Sequence, residues 1–239
     1  VSQTVWVIDC PETIKKLSAL FAGVDSLYIA DGHHRAASAV KVGQKRREQN
    51  PGYTGNEEFN FFLAVLFAQS ELAIMDYNRV KIRVIKDLNG LTQDEFIDRI
   101  SESFAVEAAP ESPYRPEKKH TFGMYLGGKW YKLAAKDGTF DAADPVAALD
   151  VSILQRNLIS PVLGIDDPRT DKRIDFVGGI RGLKELERRA QSDMCLAFSM
   201  FPTTVDDLMD IADAGKIMPP KSTWFEPKLL SGLFVHKLK

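Results

Sequence analysis

Cysteine is scarce: Cys10 and Cys195 are the only two in 239 residues, and they form no CxxC pair. That pattern fits two structural thiols in a reducing cytosol. A surplus of positive charge is also missing. The formal net charge is -2, so nothing marks the chain as a general nucleic-acid binder. Long apolar runs are absent too. The longest, Phe59 to Ala68, has ten residues and contains Asn60, too short for a membrane span. There is no signal-peptide pattern, no internal repeat and no low-complexity tract. An initial methionine is lacking as well. Val1 leads almost directly into Val5-Trp6-Val7-Ile8, which reads as the inside of a strand, so the chain is expected to be the carboxy-terminal part of a longer protein. Ser231 to His236 reads as a last strand closed by a basic tail.

What is present is ordinary for a globular protein: 44% hydrophobic and 27% charged residues, and enough length for a sizeable core. The order of elements is informative. Thr4–Ile8 reads as a strand. Pro11 opens a helix running to about Phe21, at a position where its missing N–H costs nothing. Leu27-Tyr28-Ile29-Ala30 reads as a short buried strand, followed by a helix from about His33 to Asn50 whose last turns carry Lys45-Arg46-Arg47, where cations suit the dipole. Asn60–Phe67 reads as a strand buried on both faces, and Val80-Ile82-Val84 as a half-exposed one. Thr92 with Glu95 predicts a capping box for a helix ending near Phe104. The prolines at 110, 113 and 116 mark the best boundary, dividing the chain at 107/108 into an amino-terminal and a carboxy-terminal part, unless both share one compact domain. Phe122–Leu126, Gly127-Gly128 and Lys129–Leu133 predict a hairpin. Asp144-Pro145 is expected to start a helix to about Asn157. Ile174–Val177, a helix through Arg189, Leu196–Met200 and a helix capped by Thr204 and Asp207 complete the pattern. Alternating helices and strands with an interrupting hairpin predict a mixed α/β or α+β fold.

Three segments could carry chemistry. In Asp31-Gly32-His33-His34-Arg35 a strand is expected to turn into a helix. The first amides of that helix lack intrahelical partners and the dipole adds partial positive charge. Gly32 lets an anion approach the backbone, His33, His34 and Arg35 add donors, and Arg35 suits a bidentate phosphate contact. Asp31 could cap the helix, orient a histidine or hold a nucleotide's magnesium. The plainer alternative is an aspartate cap followed by two satisfied histidines. Adjacent histidines on a helix diverge by about 100°, which argues against zinc. The second segment, Gly178-Gly179-Ile180-Arg181-Gly182, repeats the strand, glycine turn and arginine. It is either another anion site using Gly179, Arg181 and Gly182, or a tight turn with a solvated arginine. The third, Lys221-Ser222-Thr223-Trp224-Phe225 behind Pro219-Pro220, offers an amine and two hydroxyls for phosphate and aromatics for a base, or else a rigid surface loop. It is not a Walker A loop, because the GxxxxGK part is missing. Asp76-Tyr77-Asn78-Arg79 follows the Asn60–Phe67 stretch at a distance that could return Arg79 to the same site, but reads better as a turn with a solvated arginine. Asp166, Asp167 and Asp171 read as an ordinary loop rather than a cation site.

Tyr28 to Arg35, Phe122 to Leu126, Asp175 to Gly182 and Met218 to Pro227 together closely resemble the bacterial and archaeal family called domain of unknown function 1015. The resemblance spans essentially the whole chain, and members carry a further amino-terminal region. That family resembles the ParB/sulfiredoxin superfamily, in which a turn at a helix start binds nucleotide phosphates. The resemblance implies a ParB/sulfiredoxin-like unit over 1–107 and a mixed α/β region over 108–239. Asp31 to Arg35 matches the D-G-H-x-R turn of the superfamily's ADP-dependent free-serine kinases. No cysteine stands in this turn, unlike in sulfiredoxins, and no helix-turn-helix DNA module of the ParB kind is present. The implied function is a cytoplasmic, nucleotide-dependent phosphotransferase acting on a small hydroxylated metabolite. It would use ADP or ATP, with or without magnesium. Asp31, His33 and His34 would do catalytic work, and Gly32, Arg35, Gly179, Arg181, Gly182, Lys221, Ser222 and Thr223 would bind phosphate. Its rivals are a non-catalytic nucleotide- or anion-binding regulatory module and a structural domain.

Overall fold

A computed structural model describes residues 4–75, 77–82, 88–178, 181–219, 224–226, 230 and 232–238. Contacts divide the chain into an amino-terminal unit ending at Phe61 and a carboxy-terminal unit from Phe62 to Leu238. The fold is mixed α/β with the expected hairpin. The strand Phe104–Ala108 runs across 107/108, the boundary drawn from the prolines.

In the amino-terminal unit, helix α1 (Pro11–Ala22) starts on its proline as expected. Helix α2 (His33–Gln49) follows, and a single 3-10 turn, Glu58–Asn60, closes the unit. The loop after α2 folds back on it. Gly43 is the buried residue of α2, and the Phe59 carbonyl lies 3.0 Å from where a Cβ would stand there. Arg47 donates to Asn60 Oδ1 at 2.6 Å and stacks over Tyr53. Asn50 donates to the Arg46 carbonyl, closing the helix end.

Four expected strands do not form: the described residues 232–236 of the expected last strand are turn, bend and coil, and three stretches before them are no strands either. Thr4–Ile8, Leu27–Ala30 and Asn60–Phe67 are irregular apart from the 3-10 turn, and their large apolar side chains, the half-buried Tyr28 aside, are exposed, up to 84% at Val7. Their apolar character is real, but a strand exists only through hydrogen bonds to a neighbour, and no described strand pairs with them.

The carboxy-terminal unit is built on a six-stranded sheet of order β3-β5-β4-β7-β2-β6, antiparallel throughout. Its strands are β2 (Tyr77–Ile82), β3 (Phe104–Ala108), β4 (Thr121–Leu126), β5 (Lys129–Ala135), β6 (Ile174–Gly178) and β7 (Met194–Met200). A separate ribbon pairs β1 (Ala73–Met75) with β8 (Trp224–Glu226). Residue 84 of the expected half-exposed strand lies outside the described residues. The β4–β5 hairpin turns through Gly127 and Gly128 at φ 59° and 81°, the positive values a two-residue turn of this hand requires.

Side chains alternate across this sheet. Phe122, Met124 and Leu126 of β4, with Leu196, Phe198 and Met200 of β7, face the larger core. That core is closed by Phe96 and Ile100 of α3 (Gln93–Ile100) and by Ile153 and Leu154 of α4 (Asp150–Leu154), whose chain continues as a π-helical turn, Gln155–Ile159. Tyr125 and Ala197 point the other way, into a smaller core with Trp130 and Leu186 of α5 (Leu183–Ser192). Trp130 donates to Glu187 and Gln191 to the Tyr125 hydroxyl, so both large aromatics keep polar partners. Both capping boxes form, Thr92 with Glu95 on α3 and Thr204 with Asp207 on α6 (Val205–Asp213). The helix expected from Asp144 begins only at Asp150. The Asp144 carboxylate instead accepts the Val146 and Ala147 amides, which closes a local turn that is not continued.

Gly123 is on β4 because of what crosses above it. Ser199 donates to the Tyr114 carbonyl there, and a Cβ would stand 2.2 Å from Ser199 Oγ and 2.9 Å from that carbonyl. Gly123→Ala is therefore expected to cost about 1–3 kcal/mol through overpacking. A urea titration of both proteins checks this, and an unchanged midpoint would show that the sheet yields freely.

Candidate functional site

The turn at 31–35 keeps its helix start but not its strand or its cap. Residues 27–30 are irregular, and the expected capping by Asp31 is not observed. Gly32 is the N-cap, at φ 84° and ψ 30°, and no side chain caps α2. The reason is positional: the first intrahelical bond runs from the Ala36 amide to the Gly32 carbonyl, so Asp31 lies one residue before the cap. Only glycine takes that left-handed cap without strain.

This arrangement concentrates donors. The amides of His33, His34 and Arg35 precede the first intrahelical bond. The Arg35 guanidinium folds back over Gly32, its Nη2 2.9 Å from where a Cβ would stand, so a side chain at 32 would displace it. Asp31 sits 3.8 Å from Arg35 Nη2, and both side chains are mostly exposed. His33 and His34 are exposed on the same turn. No acid lies in the first turn of α2. Every other α-helix among the described residues carries one there: Glu12, Asp94 with Glu95, Asp150, Glu185, and Asp206 with Asp207. An acid complements the positive end of a helix, so α2 leaves that end open to an external anion.

Of the second segment, Gly179 and Ile180 lie outside the described residues. Arg181 is exposed, and Gly182 caps α5 at φ 72°. Here Glu185 already occupies the first turn. Its carboxyl is held below the usual range chiefly by a hydrogen bond from Arg188 and also by the nearby Arg181. Lys221, Ser222 and Thr223 lie outside the described residues. The strands that bound these two loops nonetheless meet one stretch of chain: Gly178 pairs with Tyr77, and Trp224 with Met75.

The remaining acids behave as structural groups. Asp167 is held at about 2 by its hydrogen bond from Arg169, and Asp171 pairs with Arg173. No group of three or more metal-binding side chains occurs among the described residues. Neither Cys10 nor Cys195 forms a disulfide. An open groove of about 570 Å³ is lined by Gln69, Ser70, Val205 and Asp206, whose carboxylate disfavours phosphate. No helix among the described residues is long and apolar enough to cross a membrane.

One perturbed acid escaped the sequence reading. Asp150 is 8% exposed, and burial pushes its carboxyl up to about 7, with Asp207 adding to the shift and the His120 amide and Lys119 opposing it. The signal was a single acid in the apolar run Val146 to Leu154.

A family model described as "Protein of unknown function (DUF1015)" matches residues 1–152. No curated protein matches the chain. Among solved structures, it is similar to a free serine kinase variant in complex with AMP, at 15% identity over 90% of this chain and 79% of that one, with a TM-score of 0.47. A complex of such a variant with ADP is similar at 16% identity, over 85% and 69%, with a TM-score of 0.47. A conserved hypothetical protein from Pyrococcus furiosus is similar at 16% identity, over 90% and 81%, with a TM-score of 0.43.

Proposed function

This chain belongs to the DUF1015 family, and from that premise we propose that its Asp31–Arg35 turn binds the phosphates of ADP or ATP in a kinase-like transfer to a small hydroxylated metabolite. The observation that carries this reading is the Arg35 guanidinium lying over a left-handed Gly32 at a helix start without an acid. Phosphoryl transfer asks a protein mainly for positioning and charge neutralisation, and such a turn supplies both.

In this reading the first amides of α2 and Arg35 hold the phosphate nearest the reaction. The phosphate takes the place of Asp31 beside the guanidinium. Asp31 would be the residue to hold a nucleotide's magnesium, which would neutralise phosphate charge, or else to orient His33 or His34, either of which would donate a proton to the departing oxygen. For the loops at 178–182 and 221–223 we propose phosphate contacts of their own, through Gly179, Arg181, Gly182, Lys221, Ser222 and Thr223.

The test is a titration of wild-type protein and Arg35→Ala with ADP, ATP and CTP, alongside melting curves. Affinity is expected to fall at least about tenfold, since a charge-assisted bond is worth roughly 1.5–3 kcal/mol. The melting temperature should hardly move, because the Arg35 side chain is 73% exposed and its pair with Asp31 is a weak surface contact. Equal affinities for the two proteins would remove the turn from the binding site. Tight binding without turnover would make the protein a regulatory module.

A further inference from the structure

The head of β4 is held by one residue in an uncommon conformation. His120 has φ 64°, a left-handed value that costs a non-glycine residue energy. Its carbonyl accepts the Ala135 amide of β5, and three further contacts reach the stretch between residues 140 and 150. Its amide donates to Asp150 Oδ1 at 2.8 Å. Its Nε2 lies 3.1 Å from the Ala148 carbonyl, which requires a proton on that nitrogen. Its ring packs on Phe140, with centroids 4.5 Å apart. The stretch it grips, 136–149, holds no helix or strand. Its start is pinned by the Lys136 amide on the Ser103 carbonyl and by Asn157 on the Thr139 carbonyl, and its end closes in local turns on Asp144. The His120 contacts are therefore what tie its 140–148 part to the head of β4.

Asp150 completes this grip from an unusual position. It is nine-tenths buried, and its second oxygen, Oδ2, is buried without a hydrogen-bond partner. A neutral carboxyl tolerates that environment far better than a carboxylate with a single donor. The charged groups facing it are few. Lys119, next to His120, and Asp207 of α6 bond to each other at 2.6 Å, so their opposing influences on Asp150 largely cancel. The His120 imidazole is turned to Ala148 and Phe140. On the segment's own side, Asp144 is taken up by Lys216 at 2.9 Å.

We propose that His120 and Asp150 form a proton-operated latch that fastens segment 136–149 to the head of β4, closed while Asp150 holds a proton and loosened when it ionises. Ionisation leaves a buried charge with one hydrogen bond, and the charge is relieved by admitting water between the segment and the strand. The strain at His120 favours the same release. Because burial brings the transition to about pH 7, the latch works in the range where small pH changes matter.

Amide hydrogen exchange of the full chain between pH 5.5 and 8.5, corrected for intrinsic rates, tests this. Protection of residues 139–149, relative to α5 in the same sample, is expected to fall at least tenfold between pH 6 and 8 in the wild type. Asp150→Asn, which keeps the acceptor without the charge, is expected to give a flat profile. Equal pH dependence in both proteins would overturn the latch. Should Asp150→Asn not fold, the wild-type profile still decides: no change across this range, or a transition confined below pH 5, removes the proposal.

Discussion

Replacing Phe122 with alanine is expected to destabilise the carboxy-terminal unit by about 3–5 kcal/mol, the usual cost of emptying a large aromatic site in a tight core. Phe122 is fully buried on the central strand β4. Its ring meets that of Phe104 edge-on, with centroids 5.7 Å apart, so the same substitution also strips the packing of the edge strand β3. The neighbouring side chains sit on hydrogen-bonded strands that cannot collapse into the space. Equilibrium urea unfolding followed by far-ultraviolet circular dichroism reads the effect directly. Phe122→Leu, which refills most of the volume, should recover a large part of it. A loss below about 1 kcal/mol for the alanine variant would mean that this face of the sheet is not the main core.

The second large effect depends on pH. The carboxyl of Asp150 lies near 3.8 in the unfolded chain and at about 7 in the folded one. The unfolded chain therefore releases this proton first as pH rises. Its contribution is fully present below about pH 4, declines between 4 and 7, and is gone above that. The shift corresponds to roughly 4 kcal/mol at about 1.4 kcal/mol per unit. Between pH 5 and pH 8 this group should lower the unfolding free energy of the wild type by roughly 3 kcal/mol, since part of the shift is already spent at pH 5. In Asp150→Asn this component is absent, so its stability should exceed the wild type's at pH 8 and lose that advantage toward pH 4. Acids with lowered values, such as Glu57 and Asp144 at about 2, act in the opposite sense and only in more acidic solution. The difference between wild type and variant isolates Asp150 from them. Parallel pH profiles for the two proteins would show that Asp150 is charged in the folded state at all these pH values.

Local signals in the sequence translated well. The two capping boxes, the proline start of α1, the start of α2 and the diglycine hairpin each depend on residues within a few positions of one another, and each formed as expected. Signals that depend on distant partners did not. The apolar stretches at 4–8, 27–30 and 60–67 state a demand for burial, but their own composition cannot provide the hydrogen-bonding neighbour. Asp144-Pro145 has the chemistry of a helix start and of a closed turn alike, and the turn prevailed because its carboxylate accepted both nearby amides. At the candidate site the residue types were readable and one role was not. Asp31 has the look of a cap, yet the cap is Gly32, which no preference scale based on side-chain oxygens singles out. Asp150 was hidden for the opposite reason, since its importance comes from what surrounds it in space.

The order of the sheet has a kinetic consequence. β2 is flanked by β6 and β7, although the chain from Ile82 to Met194 separates it from β7. During synthesis β2 leaves the ribosome well before either neighbour exists, and both of its edges stay open while the β4–β5 hairpin closes on its own. Closing so long a loop is slow compared with forming a hairpin, so insertion of β2 is expected to be the late, rate-limiting event of folding. Until it occurs, the carboxy-terminal unit presents unpaired strand edges, the surfaces through which partly folded chains recruit one another into aggregates.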